Sequence, residues 1–268
     1  MKKIGFIGVG NMGGTLAKVA RHYPGELLVS SRTLEKAEAF AKENGCFPMT
    51  NQDLAAQADY IFLGVKPQKM QELFAEISPV LTRRTDRFVL VSMAAGLTTQ
   101  QIGSLCGVPC PILRIMPNTP ALVGEGVIPY CGNGEVTEDE CRELEAILKA
   151  AGLVTPLPES LIDAASAFSG CGPAFVCLFI EALSDGAVAC GLPRKTALDF
   201  AAQTVLGSAK MVLETGLHPG VLKDNVCSPG GSTIAGVRAL EESGFRAAAI
   251  NAVIAAFERT KQLGKLSK

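Results

Sequence analysis

Short apolar runs alternate with stretches of helical spacing over the first half of the chain, and this alternation predicts βαβ units around a parallel sheet. The runs are residues 4–7, 27–30, 60–65, 88–92 and 112–115, and between them residues 33–43 and 53–58 read as helices. Thr98 with Gln101, and Thr137 with Glu140, have the spacing of capping boxes, in which side chains satisfy the orphan amides of a helix start. The alternation ends near Gly132. Residues 152–159 carry two prolines behind the helix expected from Glu138, and the domain boundary is placed there.

Beyond that boundary the strand signals vanish. Phe175, Leu178, Phe179, Ala182 and Leu183 keep helical spacing, as do Ile250, Val253, Ile254 and Phe257. The helix expected from Pro173 is apolar on most of its circumference, so either a second subunit or neighbours in its own chain must cover it. The apolar stretch from Gly172 to Cys190 contains Glu181, Ser184 and Asp185. It falls short of a clean membrane span and reads as a core or interface helix. Arg83, Arg84 and Arg87, with Asp86 among them, suggest a solvated turn, and Lys261, Lys265 and Lys268 a frayed tail.

A chain of 268 residues, 48 % hydrophobic and 19 % charged, belongs with ordinary globular proteins. Its formal net charge of −1 offers no field for nucleic acid or an acidic membrane surface, so any anionic substrate must be captured locally. Met1, Lys2 and Lys3 run straight into a glycine-broken segment, so export is not expected. Nine cysteines without a C-x-x-C pair suit the reducing cytoplasm, and two histidines far from any cysteine cluster argue against structural zinc.

Gly8-Val9-Gly10-Asn11-Met12-Gly13 fits G-x-G-x-x-G directly behind the first apolar run. Gly8 permits the tight turn, Gly10 lets backbone approach a pyrophosphate, and Gly13 lets the helix pack near the strand. The phosphates would then meet unpaired amides at the positive end of a helix. A carboxylate for an NAD ribose is missing after the second run, where Ser30, Ser31 and Arg32 stand instead. Hydroxyls and a guanidinium suit a 2′-phosphate, which predicts preference for NADPH with NADH as the lesser cofactor. Residues 1–155 are thus read as a Rossmann-type dinucleotide-binding domain and residues 156–268 as an all-helical domain.

A second glycine-led helix start lies near the end of the chain, at Ser228-Pro229-Gly230-Gly231-Ser232-Thr233 followed by Ile234, Val237 and Leu240. Free amides and hydroxyls at such a start can hold a small carboxylate. A plain helix cap with a glycine turn is the competing reading.

The stretch 224–241 closely resembles the signature of pyrroline-5-carboxylate reductases. Other segments agree with that family in its order along the chain: Gly8 to Gly13, Val65-Lys66-Pro67, Met93-Ala94-Ala95-Gly96, Met116-Pro117-Asn118-Thr119-Pro120 and Ser169-Gly170-Cys171-Gly172-Pro173-Ala174-Phe175. Cys227 departs slightly, standing where many relatives have Ser or Thr. The resemblance implies reduction of cyclic 1-pyrroline-5-carboxylate to L-proline by hydride from NAD(P)H. It also implies a homodimer joined through the helical domains, often assembled further, with an active site drawn from two subunits. By position, Val65, Lys66, Pro67, Ala94, Ala95 and Asn118 would line the nicotinamide end of the cofactor. Ser228, Gly231, Ser232 and Thr233 would hold the substrate, and the Thr233 hydroxyl is the candidate for a hydrogen bond to its nitrogen.

Hydride transfer to C=N needs positioning more than covalent chemistry, so the two glycine-led helix starts are expected to face one another across a crevice. Lys66 is a further polar candidate or else a loop residue, while His22 and His218 are expected at the surface. β-Hydroxyacid dehydrogenases share the two-domain plan but resemble one another in a lysine behind the domain junction. Residues 169–191 contain none, which argues against alcohol oxidation. Broader imine reductases and a non-catalytic NAD(P)H sensor are the remaining rivals.

Overall fold

The computed structural model describes residues 1–266. Eight strands form one sheet: β1 (Lys2–Ile7), β2 (Gly25–Ser30), β3 (Phe47–Pro48), β4 (Tyr60–Leu63), β5 (Val89–Ser92), β6 (Ile112–Ile115), β7 (Gly126–Gly132) and β8 (Gly152–Pro156). The order is β3-β2-β1-β4-β5-β6-β7-β8, and every neighbouring pair is parallel except β6 with β7. Helices α1 (Asn11–Ala20), α2 (Leu34–Asn44), α3 (Asn51–Gln57), α4 (Met70–Leu81), α5 (Thr99–Cys106) and α6 (Glu138–Leu148) alternate with the strands. Five further helices follow: α7 (Glu159–Ala189), α8 (Arg194–Thr215), α9 (Pro219–Asn225), α10 (Ser232–Glu242) and α11 (Phe245–Leu266). The architecture is therefore the expected α/β domain followed by helices alone.

The chain divides into two compact units, residues 1–170 with the described residues from Phe257, and residues 171–256. In the first, successive strand residues point to opposite faces and build two cores. Phe6 stacks on Phe62 across the β1/β4 ladder, ring centroids 4.3 Å apart, on the face where Leu16 and Leu144 pack. Ile7, Ile61 and Leu63 take the other face with Leu54, Phe74 and Ile102. Each such side chain contributes about 1.5–3 kcal/mol by leaving water.

The expected strands occur with shifted ends, residues 112–115 unchanged. Thr33 and Thr50 stand at the N-cap positions of α2 and α3, where only the Thr50 side chain accepts a capping bond, from Asp53 N, and these helices cover 34–44 and 51–57 rather than 33–43 and 53–58. Both capping boxes form, at Thr98/Gln101 and Thr137/Glu140. The proline-bearing stretch at 152–156, read as the boundary, is strand β8, tolerated because it lies at the sheet's edge. The arginine cluster is only partly a solvated turn. The Arg84 side chain is 5 % exposed. It donates to the carbonyls of Ala55 and Ala58 at 2.8 and 2.7 Å, closing the end of α3. All three tyrosines lie against α6. Tyr23 donates to the Glu143 carboxylate, Tyr130 to that of Glu145 at 2.6 Å and Tyr60 to the Glu140 carbonyl at 3.4 Å. Burial first, then the Glu143 carboxylate, pushes the Tyr23 hydroxyl up to about 12.

Residues 171–256 are built differently: only Ser184, Ala197 and Ala201 are buried. Phe179 meets Phe245 with centroids 5.3 Å apart, and Arg194 bonds Ser184 and Asp185. Helix α7 begins at Glu159, well before Pro173, and contains that proline. By length and composition it could cross a membrane, contrary to the shorter span read from sequence, and 11 % of its most apolar stretch is buried within the chain. Its own neighbours therefore leave it largely open. The expected frayed tail is helical through Lys261 and Lys265, while Lys268 lies outside the described residues.

Candidate active site

The C-terminal ends of the parallel strands β1, β2, β4, β5 and β6 share one edge of the sheet, where ligands of such folds bind. Strand order reverses between β1 and β4, and the first glycine cluster sits beside that switch. Gly8 has φ 98°, outside the range of most side chains. A Cβ on Gly13 would collide with the Gly8 carbonyl oxygen, and one on Gly64 would do the same. Backbone thus packs on backbone at three glycines. Around Gly10, by contrast, a Cβ would meet nothing within 4 Å. Gly10 is also the N-cap of α1 and provides no side-chain cap, so the amides of Asn11, Met12 and Gly13 precede the first helical bond, Gly14 N to Gly10 O at 2.7 Å. This open cradle of amides fits a dinucleotide pyrophosphate.

The other predicted residues of this unit follow the same edge. Ser31 and the exposed Arg32 come directly after β2, and Arg32 forms no salt bridge or hydrogen bond with the described residues. Val65, exposed Lys66 and Pro67 follow β4, with the Lys66 carbonyl accepting from Lys69 N at 2.8 Å. Ala94 is buried and Ala95 exposed behind β5. Asn118, behind β6, is 6 % exposed, and its carboxamide is engaged twice: Oδ1 accepts from Val127 N and Nδ2 donates to Ser169 O, both at 2.9 Å. Its side chain therefore braces the loop.

In the other unit, Gly230 has φ 67° and Gly231 is the N-cap of α10, again without a side-chain cap. Gly231 N donates to Ser228 O at 3.0 Å, leaving the amides of Ser232, Thr233 and Ile234 ahead of the first helical bond from Ala235 N. Ser228, Ser232 and Thr233 are exposed. This start presents unpaired backbone amides in the same way as that of α1. His218 and His22 are both exposed, and His218 Nδ1 accepts from Gly220 N at 3.1 Å as the cap of α9.

One cluster escaped the sequence reading. Arg114, on β6, is 2 % exposed, donates to Asp163 at 2.6 Å and lies 3.8 Å from Glu159, while its buried Nε has no partner. Glu159 accepts from both Thr99 N (2.7 Å) and Thr99 Oγ1 (3.0 Å), so the start of α7 holds the start of α5 and thereby the Ala94–Ala95 loop before it. An arginine inside the apolar run Ile-Leu-Arg-Ile was the available signal.

The family model for pyrroline-5-carboxylate reductase dimerisation matches residues 159–263, and one described as NADP oxidoreductase, coenzyme F420-dependent, matches residues 3–96. The pyrroline-5-carboxylate reductase of Escherichia coli (strain K12) is 44 % identical over 98 % of this chain and 99 % of its own. This chain belongs to the pyrroline-5-carboxylate reductase family. Two solved pyrroline-5-carboxylate reductases carry the likeness into three dimensions. The Plasmodium falciparum protein, crystallised with NADP bound, matches with a TM-score of 0.84 at 34 % identity, covering 98 % of both chains. That from Coxiella burnetii gives 0.89 at 36 %, covering 97 % of both. The dimerisation region of the pyrroline-5-carboxylate reductases falls on the helices that leave their apolar faces open here, which supports homo-oligomerisation. Membership displaces the readings as a β-hydroxyacid dehydrogenase, a broader imine reductase or a sensor.

Proposed function

We infer that this chain reduces 1-pyrroline-5-carboxylate to L-proline with NADPH, holding cofactor and substrate each at an uncapped, glycine-led helix start. The observation that carries this reading is the pair of N-caps, Gly10 and Gly231, both in extended conformation and both without a side-chain cap. The amides of Asn11, Met12 and Gly13 hold the pyrophosphate, with Gly8 making the turn and Gly10 leaving the space. Ser31 and Arg32 take the 2′-phosphate, so NADPH is preferred over NADH. Val65, Lys66, Pro67, Ala94, Ala95 and the braced backbone at Asn118 line the nicotinamide end. Residues 1–155 form the dinucleotide-binding domain, and residues 156–268 the helical substrate and dimerisation domain.

Ser228, Gly231 and Ser232 hold the substrate carboxylate through amides and hydroxyls. The Thr233 hydroxyl hydrogen-bonds the ring nitrogen. A protonated C=N carbon accepts hydride readily, because the electron pair of the double bond settles on nitrogen. When bound, NADPH supplies that hydride. The protein's own part is alignment: two anchored anionic ends fix the reacting atoms without a covalent step.

The open apolar faces of the helical region support a homodimer, or a larger assembly built from dimers, over a membrane span, since the family's dimerisation region coincides with α7. Nine free thiols suit the cytoplasm. Consumption of NADPH, followed by its absorbance with and without 1-pyrroline-5-carboxylate and compared with NADH, tests the reading. Loss of NADPH only in the presence of the imine, with higher kcat/KM than for NADH, is the expected result. Oxidation that ignores the imine would sink it.

A further inference from the structure

Helix α7 carries a proline in its interior, and the hydrogen bond that this residue cannot make is replaced from outside the helix. Pro173 has no N–H, so the Ser169 carbonyl, one turn earlier, receives no helical donor, and the proline ring pushes that carbonyl outward. Ser169 is 5 % exposed, which leaves the carbonyl little access to water. Its own hydroxyl is occupied, donating to Ala165 O at 2.8 Å. The donor that reaches the freed oxygen is Asn118 Nδ2, at 2.9 Å. The other end of the same carboxamide accepts from Val127 N. The loop between β6 and β7 is thus tied to α7 at the one carbonyl that the proline releases.

A proline inside a helix does not of itself require such a partner. Pro79 lies inside α4, where Ala75, one turn earlier, is exposed and its carbonyl can turn to water.

We propose that Pro173 is a positioning residue for reduction: by withholding one amide from α7 it reserves the Ser169 carbonyl for Asn118, and so sets the loop at residues 116–120 against the nicotinamide end of the cofactor. This rests on the reading above that the Asn118 loop lines that end.

Substituting Pro173→Ala restores an amide that competes for Ser169 O. The melting temperature then stays the same or rises, because alanine suits a helix interior, while kcat/KM for NADPH falls roughly ten-fold, the worth of about one hydrogen bond. KM for the imine stays unchanged. Asn118→Asp keeps the acceptor for Val127 N but removes the donor to Ser169 O, and it lowers kcat/KM for NADPH by a similar factor. The double variant falls no further than Asn118→Asp alone. Pro79→Ala, the control, leaves all kinetic constants unchanged. Unchanged NADPH kinetics in Pro173→Ala alongside an impaired Asn118→Asp would overturn the proposal, as would multiplying effects in the double variant. A lowered melting temperature accompanying the kinetic loss in Pro173→Ala would mark a packing role and also overturn it. If Asn118→Asp itself leaves NADPH kinetics untouched, the placement of that loop at the cofactor is wrong, and the proposal falls with it.

Discussion

In residues 1–170 the strands bury side chains on both faces and three glycines pack backbone against backbone, whereas residues 171–256 enclose only Ser184, Ala197 and Ala201. Each region holds one uncapped, glycine-led helix start, but in opposite surroundings. That of α1 is wedged against Gly8 and Gly64, so its shape follows from the sheet. That of α10 stands exposed, and the nearest atoms a Cβ on Gly231 would meet belong to Ser228, a loop neighbour three residues away. The start of α1 is therefore shaped within a single chain, while that of α10, proposed above for the substrate, lies in a region whose apolar faces stay open in one chain and which the family's dimerisation model matches.

The contrast can be broken most severely at the helices. Leu178 is 67 % exposed on α7, and Leu178→Asp would set a carboxylate in any face buried between copies. Sedimentation should then report monomers and activity should fall at least about 100-fold, while NADPH binding, read by fluorescence titration, survives. An active monomer would show that the second region needs no cover. Next in size is Gly13→Ala, whose Cβ meets the Gly8 carbonyl: a loss of about 3 kcal/mol in denaturant titration and loss of NADPH binding are expected. Retention of both would mean that α1 can shift freely. Thr233→Ala sharpens the other side, with kcat/KM for the imine down roughly 10- to 100-fold and KM for NADPH unchanged. Equal imine kinetics would remove Thr233 from the site.

The smallest effect lies within the self-sufficient region. Burial alone would raise the Glu140 carboxyl, but hydrogen bonds from Arg87 Nε (2.7 Å) and Thr137 N (2.8 Å) outweigh it and hold the group below its ordinary value. A carboxylate with a depressed folded-state pKa stabilises above its unfolded value and loses that contribution as pH falls through the folded one. Arg87→Ala should cost about 0.5 kcal/mol at neutral pH, since Arg87 is half exposed. The part of that cost owed to the carboxylate should vanish as it protonates, and thermal melts from pH 7 to pH 3 would show the gap narrowing to what the Arg87 bond to the Glu135 carbonyl (2.7 Å) contributes. A gap that does not narrow in acid would show that the Glu140 charge contributes nothing.

The parts legible in the sequence were those governed by local pattern. Buried parallel strands read as apolar runs, the glycines around β1 and α10 read by position, and the capping boxes read as residue pairs three apart. Strand β8 was hidden because Pro156 resembles linker chemistry, and an edge position that tolerates it is a property of the sheet. The start of α7 was hidden by Pro173 and the small residues before it, which suggest a break in any local reading. Arg114 with Asp163 and Glu159 with Thr99 are separated by 49 and 60 positions, so their meeting depends on the folded sheet. The same holds for Asn118, which the sequence placed toward the cofactor and the structure engages with two backbone groups.

The gathering of all three tyrosines against α6, in a chain without tryptophan, has a practical effect on how unfolding is observed. Tyrosine emission, excited at wavelengths where phenylalanine does not absorb, arises entirely from one side of the sheet. Melting of residues 171–256 would pass unseen in that signal, and only circular dichroism or a dye placed on the helices would register it.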